Sequence, residues 1–574
     1  MPSSSGANGR PHQSARAVST LVLIAVLAVA AAVLIVFRAE AQTGDSLEYA
    51  RSIRSGEALF HPHHLLFNPI VRGLWKGIAA VFPGASPIAA AQVHNIFWAL
   101  IVLTAVFTII RRTTASTGAA ALGSLALFSS LSFWQYATYA EVYLPTMGCL
   151  AVVLVALQVA PRERISVGLG GAIAAVFALA VFYDQMSVFF SLPLTILLTG
   201  RLGKKGGWKA AGLLAAAGAT VLAGYLFAFL TTSNPRTSTG FFHWCFSYAF
   251  HPDPSWGSWS NVTPLGAAKL LLSLSRNILP IPRPLFLPAV ICSGLIVTGL
   301  AVGTLRAVHR RAAEIPRRIA LGLWIGTTVA FMWWFSPSGY ELAIPLLLPF
   351  LLLAVRTTAD VWESLADSRL ARRRILGFLS AAVVGLFIVN FITAVLPART
   401  DRGDAYHRAA LVQTAAPANA IVVADYFLRE NLLYFFDRPG TFEDNMILFS
   451  FYRNIPLPAE YVLDAGRPIL IPTAMLVPGS TTAKPFTGDS HPREWRSVVE
   501  WLTGCEIRDG RVVSARTAAA VEGLPGYFLL SGDRRPVVGL ADVFRRLDEA
   551  VRTAAGDPAG PFSSWLNRHP DQER

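Results

Sequence analysis

Charge is scarce in this chain. Asp, Glu, Lys and Arg make up 15% of its 574 residues, where a soluble domain carries about 25%. An ordinary water-soluble enzyme of this length is thereby excluded. Cysteine is scarce too. The four that occur, Cys149, Cys245, Cys292 and Cys505, are scattered without metal-ligand spacing, and Cys245 could pair with Cys505. The last third of the chain has no phosphate-cradling glycine loop, no zinc spacing and no nucleophile elbow, and no long internal repeat stands out.

Apolar runs take the place of the missing charge: 53% of the residues are hydrophobic, concentrated in stretches of about 20 residues that can cross roughly 30 Å of hydrocarbon. About eleven spans are predicted, near 18–37, 87–110, 118–133, 142–160, 165–182, 186–199, 208–230, 284–305, 319–335, 342–355 and 375–396. The third and sixth are short enough to tilt in from a loop. The fold class this predicts is mainly α: a polytopic helical membrane protein over residues 1–396, followed by a soluble α/β domain over 397–574. Arg10 and Arg16 ahead of the first run, with Ala39-Glu40-Ala41 behind it, also suit a signal peptide. The run is longer than the usual apolar core of such a peptide, so an uncleaved span is expected.

Alternate connections are basic: Arg111 and Arg112; Arg162 and Arg164; Arg201, Lys204, Lys205 and Lys209; Arg306 to Arg318; Arg356 with Arg372 to Arg374. The turns between them, around Glu141, Asp184 and Ser336 to Glu341, hold no Lys or Arg. The positive-inside rule then puts the N-terminus in the cytoplasm of a plasma or inner membrane. Loops 38–86 and 231–283 and the C-terminal domain fall outside. Much of the net charge of +14 is explained by this asymmetry, and no nucleic-acid partner is expected. Runs such as AIVVAD (420–425) and PILIPT (468–473) read as strands of the outer domain, and REWRSVVEWL (493–502) as a helix. A scaffold or acceptor-docking lid suits that domain better than a second active site.

The first outer loop opens with GDSLEYARSIRSGEALFHPHHLLF (44–67). Asp45 and Glu48 share a helix face, and Ser46 or Asp45 suits a helix cap. One reading is an amphipathic helix on the membrane surface, with Arg51 and Arg54 reaching lipid phosphates. His61-Pro62-His63-His64 reads as a polar turn, since adjacent histidines do not share a face for a metal. The second stretch, QYATYAEVYLP (135–145), sets Glu141 among aromatics at a span end. A carboxylate there is costly without a partner or a task, although the dipole of the next helix also favours it. Two such acids, separated by two membrane crossings, are expected to converge on one cavity.

GDSLEY (44–49) with AEVY (140–143), and an HP turn about seventeen residues after the first acid, resembles the GT-C glycosyltransferases. The likeness is nearest to their O-mannosyltransferase-like branch, and more general to protein mannosyltransferases and lipid A aminoarabinose transferases. It covers the first four spans by motif and the rest by layout. It departs at HPHHLLF (61–67), where that branch has an HPPGY-like turn.

The resemblance implies an enzyme of the cell envelope that moves a hexosyl, for instance mannosyl, group from a polyprenyl-phosphate donor on the outer leaflet. The acceptor hydroxyl would belong to a protein, lipid or glycan. Asp45 takes the position of the general base; Glu141 would position the acceptor, hold Asp45 in place electrostatically, or help bind a metal, with Mg²⁺ or Mn²⁺ as a potential cofactor. Arg51, Arg54, His61, His64, Tyr143, Arg276 and Arg283 are the candidates for donor-phosphate and substrate binding. Arg236 and Lys269 are further cations of the second loop, and Trp244, Trp256 and Trp259 suit sugar stacking or interfacial anchoring. A secondary transporter, a lipid flippase and a non-catalytic assembly protein are the rival classes. A transporter sets its charges near the midplane, whereas these acids cluster at one face.

Overall fold

The computed structural model describes residues 10–160, 165–199, 201–202, 206–232, 238–246, 257–308, 315–364 and 368–453. Beyond these it describes 457, 461, 463, 466–472, 475, 492–508, 511–555 and 567–568. The chain divides into two compact units, Met1–Asp401 and Arg402–Arg574.

The first unit is helical. It begins with α1 (Arg10–Val36), α2 (Gly44–Ser55), α3 (Phe67–Val81), α4 (Pro87–Thr114), α5 (Thr117–Phe128), α6 (Leu131–Thr138), α7 (Tyr143–Val159) and α8 (Val167–Tyr183). It continues with α9 (Ser191–Thr199), α10 (Gly206–Thr231), α11 (Ser238–Cys245), α12 (Pro264–Arg276) and α13 (Phe286–Val308). The last are α14 (Ile315–Phe335), α15 (Leu347–Ser364), α16 (Arg369–Asn390) and α17 (Leu396–Thr400). Among the described residues seven helical segments are long and apolar enough to cross a membrane: Arg16–Val36, Pro87–Thr114, Gly206–Thr231, Arg283–Leu300, Ile315–Phe335, Tyr340–Asp360 and Leu370–Ala415. Three shorter apolar ones are Tyr143–Val159, Val167–Tyr183 and Gln185–Thr199. Each apolar run read from the sequence falls on one of these or on the bent pair α5–α6. The protein is an integral membrane protein.

The third run is a broken helix, for α5 and α6 meet at 66°. Nothing in a bilayer pairs backbone groups freed by such a break, so protein must do it. The N–H groups of Leu131 and Ser132 donate to the carbonyls of Ile278 and Asn277 at 3.0 and 3.1 Å. Asn390 donates from Nδ2 to the carbonyls of Ser129 (2.7 Å) and Ile278 (2.8 Å). Asn390 itself precedes a π-turn, Phe391–Val395, in the last span.

Helix α2 is anchored at both ends, with one correction to the expected cap. The helix starts at Gly44, and Thr43 caps it: extended at φ −74°, ψ 168°, it accepts the Ser46 N–H at 3.0 Å. Asp45 and Ser46 lie inside the first turn, so neither is the cap. At the other end Gly56 adopts φ +85°. A Cβ there would sit 2.5–2.6 Å from the Arg72 guanidinium, which itself donates to the Ile53 carbonyl at 2.5 Å. Only glycine meets both demands.

The second unit is α/β, with α18 (Asp404–Ala415), β1 (Ile421–Ala424), α19 (Tyr426–Phe435), β2 (Thr441–Glu443), α20 (Asp444–Arg453) and β3 (Ile469–Pro472). Then come α21 (Pro492–Thr503), β4 (Glu506–Arg508), β5 (Arg511–Ala520), β6 (Tyr527–Pro536) and α22 (Gly539–Ala555). The sheet order is β2-β1-β3-β6-β5-β4, parallel across β2, β1 and β3 and antiparallel beyond. Period-two alternation sorts its faces. Val422, Ala424 and Leu470 pack with Val412 and Leu428 of α18 and α19. Ile421, Val423, Ile469 and Ile471 pack with Ile447, Val498 and Phe544 of α20, α21 and α22. All four cysteines are free thiols.

Candidate active site

Two polar side chains inside α4 pull the acid-bearing connections together. Gln92, 4% exposed, donates from Nε2 to the carbonyls of Ala39 (2.9 Å) and Thr138 (2.7 Å). Asn95, fully buried, donates from Nδ2 to the carbonyls of Tyr139 (2.8 Å) and Glu141 (2.7 Å), with Tyr136 at 3.3 Å. Gln42 Oε1 accepts the Ala140 N–H at 3.2 Å. The α1–α2 and α6–α7 connections are thus stapled to one span and to each other. Neither Gln92 nor Asn95 was singled out by the sequence reading; the signal was the QVHN interruption (92–95) of an apolar run.

Glu141, 3% exposed, sits where these connections meet. Its Oε1 accepts from the Thr43 hydroxyl at 2.5 Å and from the Ser46 hydroxyl at 3.2 Å. Both hydroxyls come from the first turn of α2, the turn that carries half-buried Asp45. Burial and then the Asp45 carboxylate push Glu141 well above the ordinary carboxylate range; the two hydroxyls oppose the shift, and Glu341 adds to it. An upward shift is the expected outcome for adjacent carboxyls in a poorly solvated site. The structure brings Asp45 and Glu141 together and adds Glu341, from the turn after α14. Tyr143, the buried first residue of α7, lies within electrostatic reach of Glu341, Glu141, Asp184 and Asp45, and its ring meets Tyr136 edge-on at 5.1 Å.

The histidine turn docks on the end of α8. His63 Nδ1 bonds Gln185 Oε1 at 3.0 Å, and His64 Nδ1 bonds the Tyr183 carbonyl at 3.1 Å. Gln185 donates to the Pro62 carbonyl at 2.9 Å. The His61 and His64 rings stack at 5.5 Å, and Tyr49 of α2 meets both edge-on. Burial lowers the basicity of all three, His63 to about 3, while Glu48 partly opposes the shift at His61. They are neutral at pH 7 and shape the wall rather than supply charge.

The basic candidates divide by place. Arg51 and Arg54 are half-buried on α2. Arg276 ends α12, its guanidinium 5.0 Å over the Phe286 ring, and its charge reaches Tyr340, the neighbour of Glu341. Arg283 lies exposed on the turn before α13, and Lys269 is exposed on α12. Trp244 packs on Phe229 at 5.7 Å, whereas Trp259 is 80% exposed. Arg236 and Trp256 lie outside the described residues. Among the described residues no group of three or more His, Cys, Asp or Glu is placed to hold a metal ion.

A half-buried carboxylate beside a buried carboxyl group can accept a proton from a hydroxyl, and Arg276, whose charge reaches Tyr340, can hold an anionic leaving group. No family model matches the chain and no curated protein does. It is similar to the crystal structure of ArnT from Cupriavidus metallidurans bound to undecaprenyl phosphate, at 14% identity over 81% of this chain and 94% of that one, TM-score 0.49. It is also similar to the archaeal oligosaccharyltransferase AglB from Archaeoglobus fulgidus, in complex with an inhibitory peptide and a dolichol-phosphate. There the identity is 10% over 91% of this chain and 74% of that one, TM-score 0.46.

Proposed function

We propose that the protein is a GT-C-type membrane glycosyltransferase of the O-mannosyltransferase-like kind, working on the outer face of the membrane. It moves a hexosyl group from a polyprenyl phosphate to an acceptor hydroxyl. The observation that carries the reading is the Thr43–Ser46–Glu141 cluster, which locks the first turn of α2, and Asp45 with it, against the α6–α7 turn. The acids lie in connections and helix ends, not at mid-span, which favours a transferase over a transporter.

The acceptor oxygen attacks the anomeric carbon, the bond from that carbon to the phosphate oxygen breaks, and polyprenyl phosphate leaves. The acceptor proton passes to Asp45. Glu141, buried and bonded to the Thr43 and Ser46 hydroxyls, holds the turn in place. Because the leaving group is already a fair one, catalysis consists mainly of positioning and of stabilising its charge. Arg276 suits that second task through its planar fork.

Asp45→Asn keeps shape and hydrogen bonding but removes the base, so transfer should fall about 10²–10⁴-fold with protein level and donor affinity unchanged. Glu141→Gln should lower turnover too, and the double variant should lose much less than the sum if the pair acts as a unit. Normal transfer by the Asp45→Asn protein sinks the assignment.

A further inference from the structure

Asp184 and Glu341 are the two acids around Tyr143 that the proposed transfer does not use, and Asp184 is the one with an orphaned oxygen. It joins α8 to the 3-10 turn Gln185–Phe190 and is 4% exposed. One oxygen has a structural task, since Oδ1 accepts the Met186 N–H at 3.0 Å. The other, Oδ2, is buried and has no hydrogen-bond partner among the described residues. Burial raises this carboxyl to about 6, so it is mostly ionised at neutral pH.

A buried ionised oxygen without a partner is costly, and folded proteins rarely leave one unless a ligand or water completes it. The surroundings select what can complete it. Tyr143 is within electrostatic reach of Asp184 and of both Asp45 and Glu141. Tyr225 lies beside both Gln185 and Asp184. Gln185 is engaged by His63 and by the Pro62 and Cys245 carbonyls. The named neighbours are thus two tyrosines and one neutral amide; tyrosine rings suit the ring face of a sugar, and the orphan is a strong acceptor, which suits a hydroxyl donor.

We infer that Asp184 Oδ2 accepts a hydrogen bond from one ring hydroxyl of the transferred sugar, and so selects among donor sugars. The inference rests on the transferase reading and adds a specificity residue to it: the sugar extends from Asp45, at the anomeric carbon, past Tyr143 to Asp184. Its far hydroxyl is then read by a charged acceptor rather than by shape alone. A site that hydrogen-bonds a substrate hydroxyl rejects the analogue lacking it more strongly than an apolar pocket rejects a change of size.

The test offers the full-length protein undecaprenyl-phosphate mannose, glucose and galactose, and then the singly deoxygenated forms of whichever is transferred. One deoxygenation should cost the wild type about 10–100-fold in kcat/KM, the range of hydrogen bonds to charged groups. In Asp184→Ala that same penalty should shrink towards unity while penalties at the other positions stay. Asp184→Asn keeps the Met186 contact, and should reduce the penalty in the same direction should the alanine variant fail to fold. A wild-type protein that transfers sugar with the same penalties in every variant overturns the inference, and Oδ2 then holds only a buried water. A wild type that transfers none of the three sugars overturns the transferase reading and takes this inference with it.

Discussion

Replacing Asn95 with leucine tests whether the α4 staple holds the site. The two Nδ2 hydrogens serve the Tyr139 and Glu141 carbonyls at 2.8 and 2.7 Å, in a position with no exposure. Leucine has the same branching and is somewhat larger, so the change removes donors without opening a cavity. Two buried carbonyls lose their partner, at about 1–3 kcal/mol each, or about 2–6 kcal/mol together. That is a large share of the roughly 5–15 kcal/mol that holds a domain folded. The turn is expected to relieve part of the cost by moving, and Glu141 moves with it. A shift of about 1 Å at a reacting group costs on the order of 10²-fold in rate. The variant should therefore show a lower unfolding temperature in detergent together with a loss of turnover that exceeds any loss of donor affinity. Gln92→Leu should do the same through Thr138, and the two changes should couple because they hold one turn. Wild-type thermal stability and wild-type turnover in Asn95→Leu would refute the reasoning, since two unpaired carbonyls cannot be free of cost in a buried site.

Arg276→Ala should weaken donor binding about 10–100-fold, the worth of a charge-assisted contact to phosphate, and Arg276→Lys should recover only part, because an ammonium lacks the bidentate fork. Equal donor affinity in equilibrium binding would redirect attention to Arg51 and Arg54. In the second unit Asp444 is pushed from 3.8 up to about 6, chiefly by burial. The folded state then holds this proton more tightly than the unfolded one, so its contribution to stability is full below pH 4 and is lost as pH rises to about 6. Asp444→Asn should flatten that slope and stabilise the unit at pH 7.5 by at most about 3 kcal/mol. Hydrogen exchange of α20 in the full-length protein, corrected for intrinsic rate, measures it; an unchanged slope would remove Asp444 from the account.

The apolar runs were legible because twenty consecutive apolar residues have one physical use, and Asp45 and Glu141 because charge at a span end needs a reason. Gln92 and Asn95 were not legible, because a polar residue inside an apolar run has no periodic signature and its partners are backbone carbonyls, which leave no mark on composition. Glu341 joins the site from the far side of the chain, a pairing that no local pattern encodes. Thr43 displaced Ser46 and Asp45 as the cap because all three residue types suit the role. Only the position of Glu141, which holds the Thr43 and Ser46 hydroxyls, decides among them. In the second unit the buried strands β1 and β3 and the helix α21 were visible as apolar and amphipathic runs. Of the ten-residue strands, β5 is rich in alanine and arginine and β6 ends in GDRRP, so both carry weaker alternation.

The break between α5 and α6 has a consequence for biogenesis. Its freed carbonyl at Ser129 is met by Asn390, 261 residues further along, and its freed N–H groups by the end of α12. A nascent chain emerging from N- to C-terminus cannot close that seam until its last span has entered the membrane. Until then α6, and the Glu141 turn eight residues of helix beyond the break, lack their final support. Truncated chains lacking α16 should therefore carry every acid of the site and the α4 staple, yet lack the Asn390 bonds that pair the break.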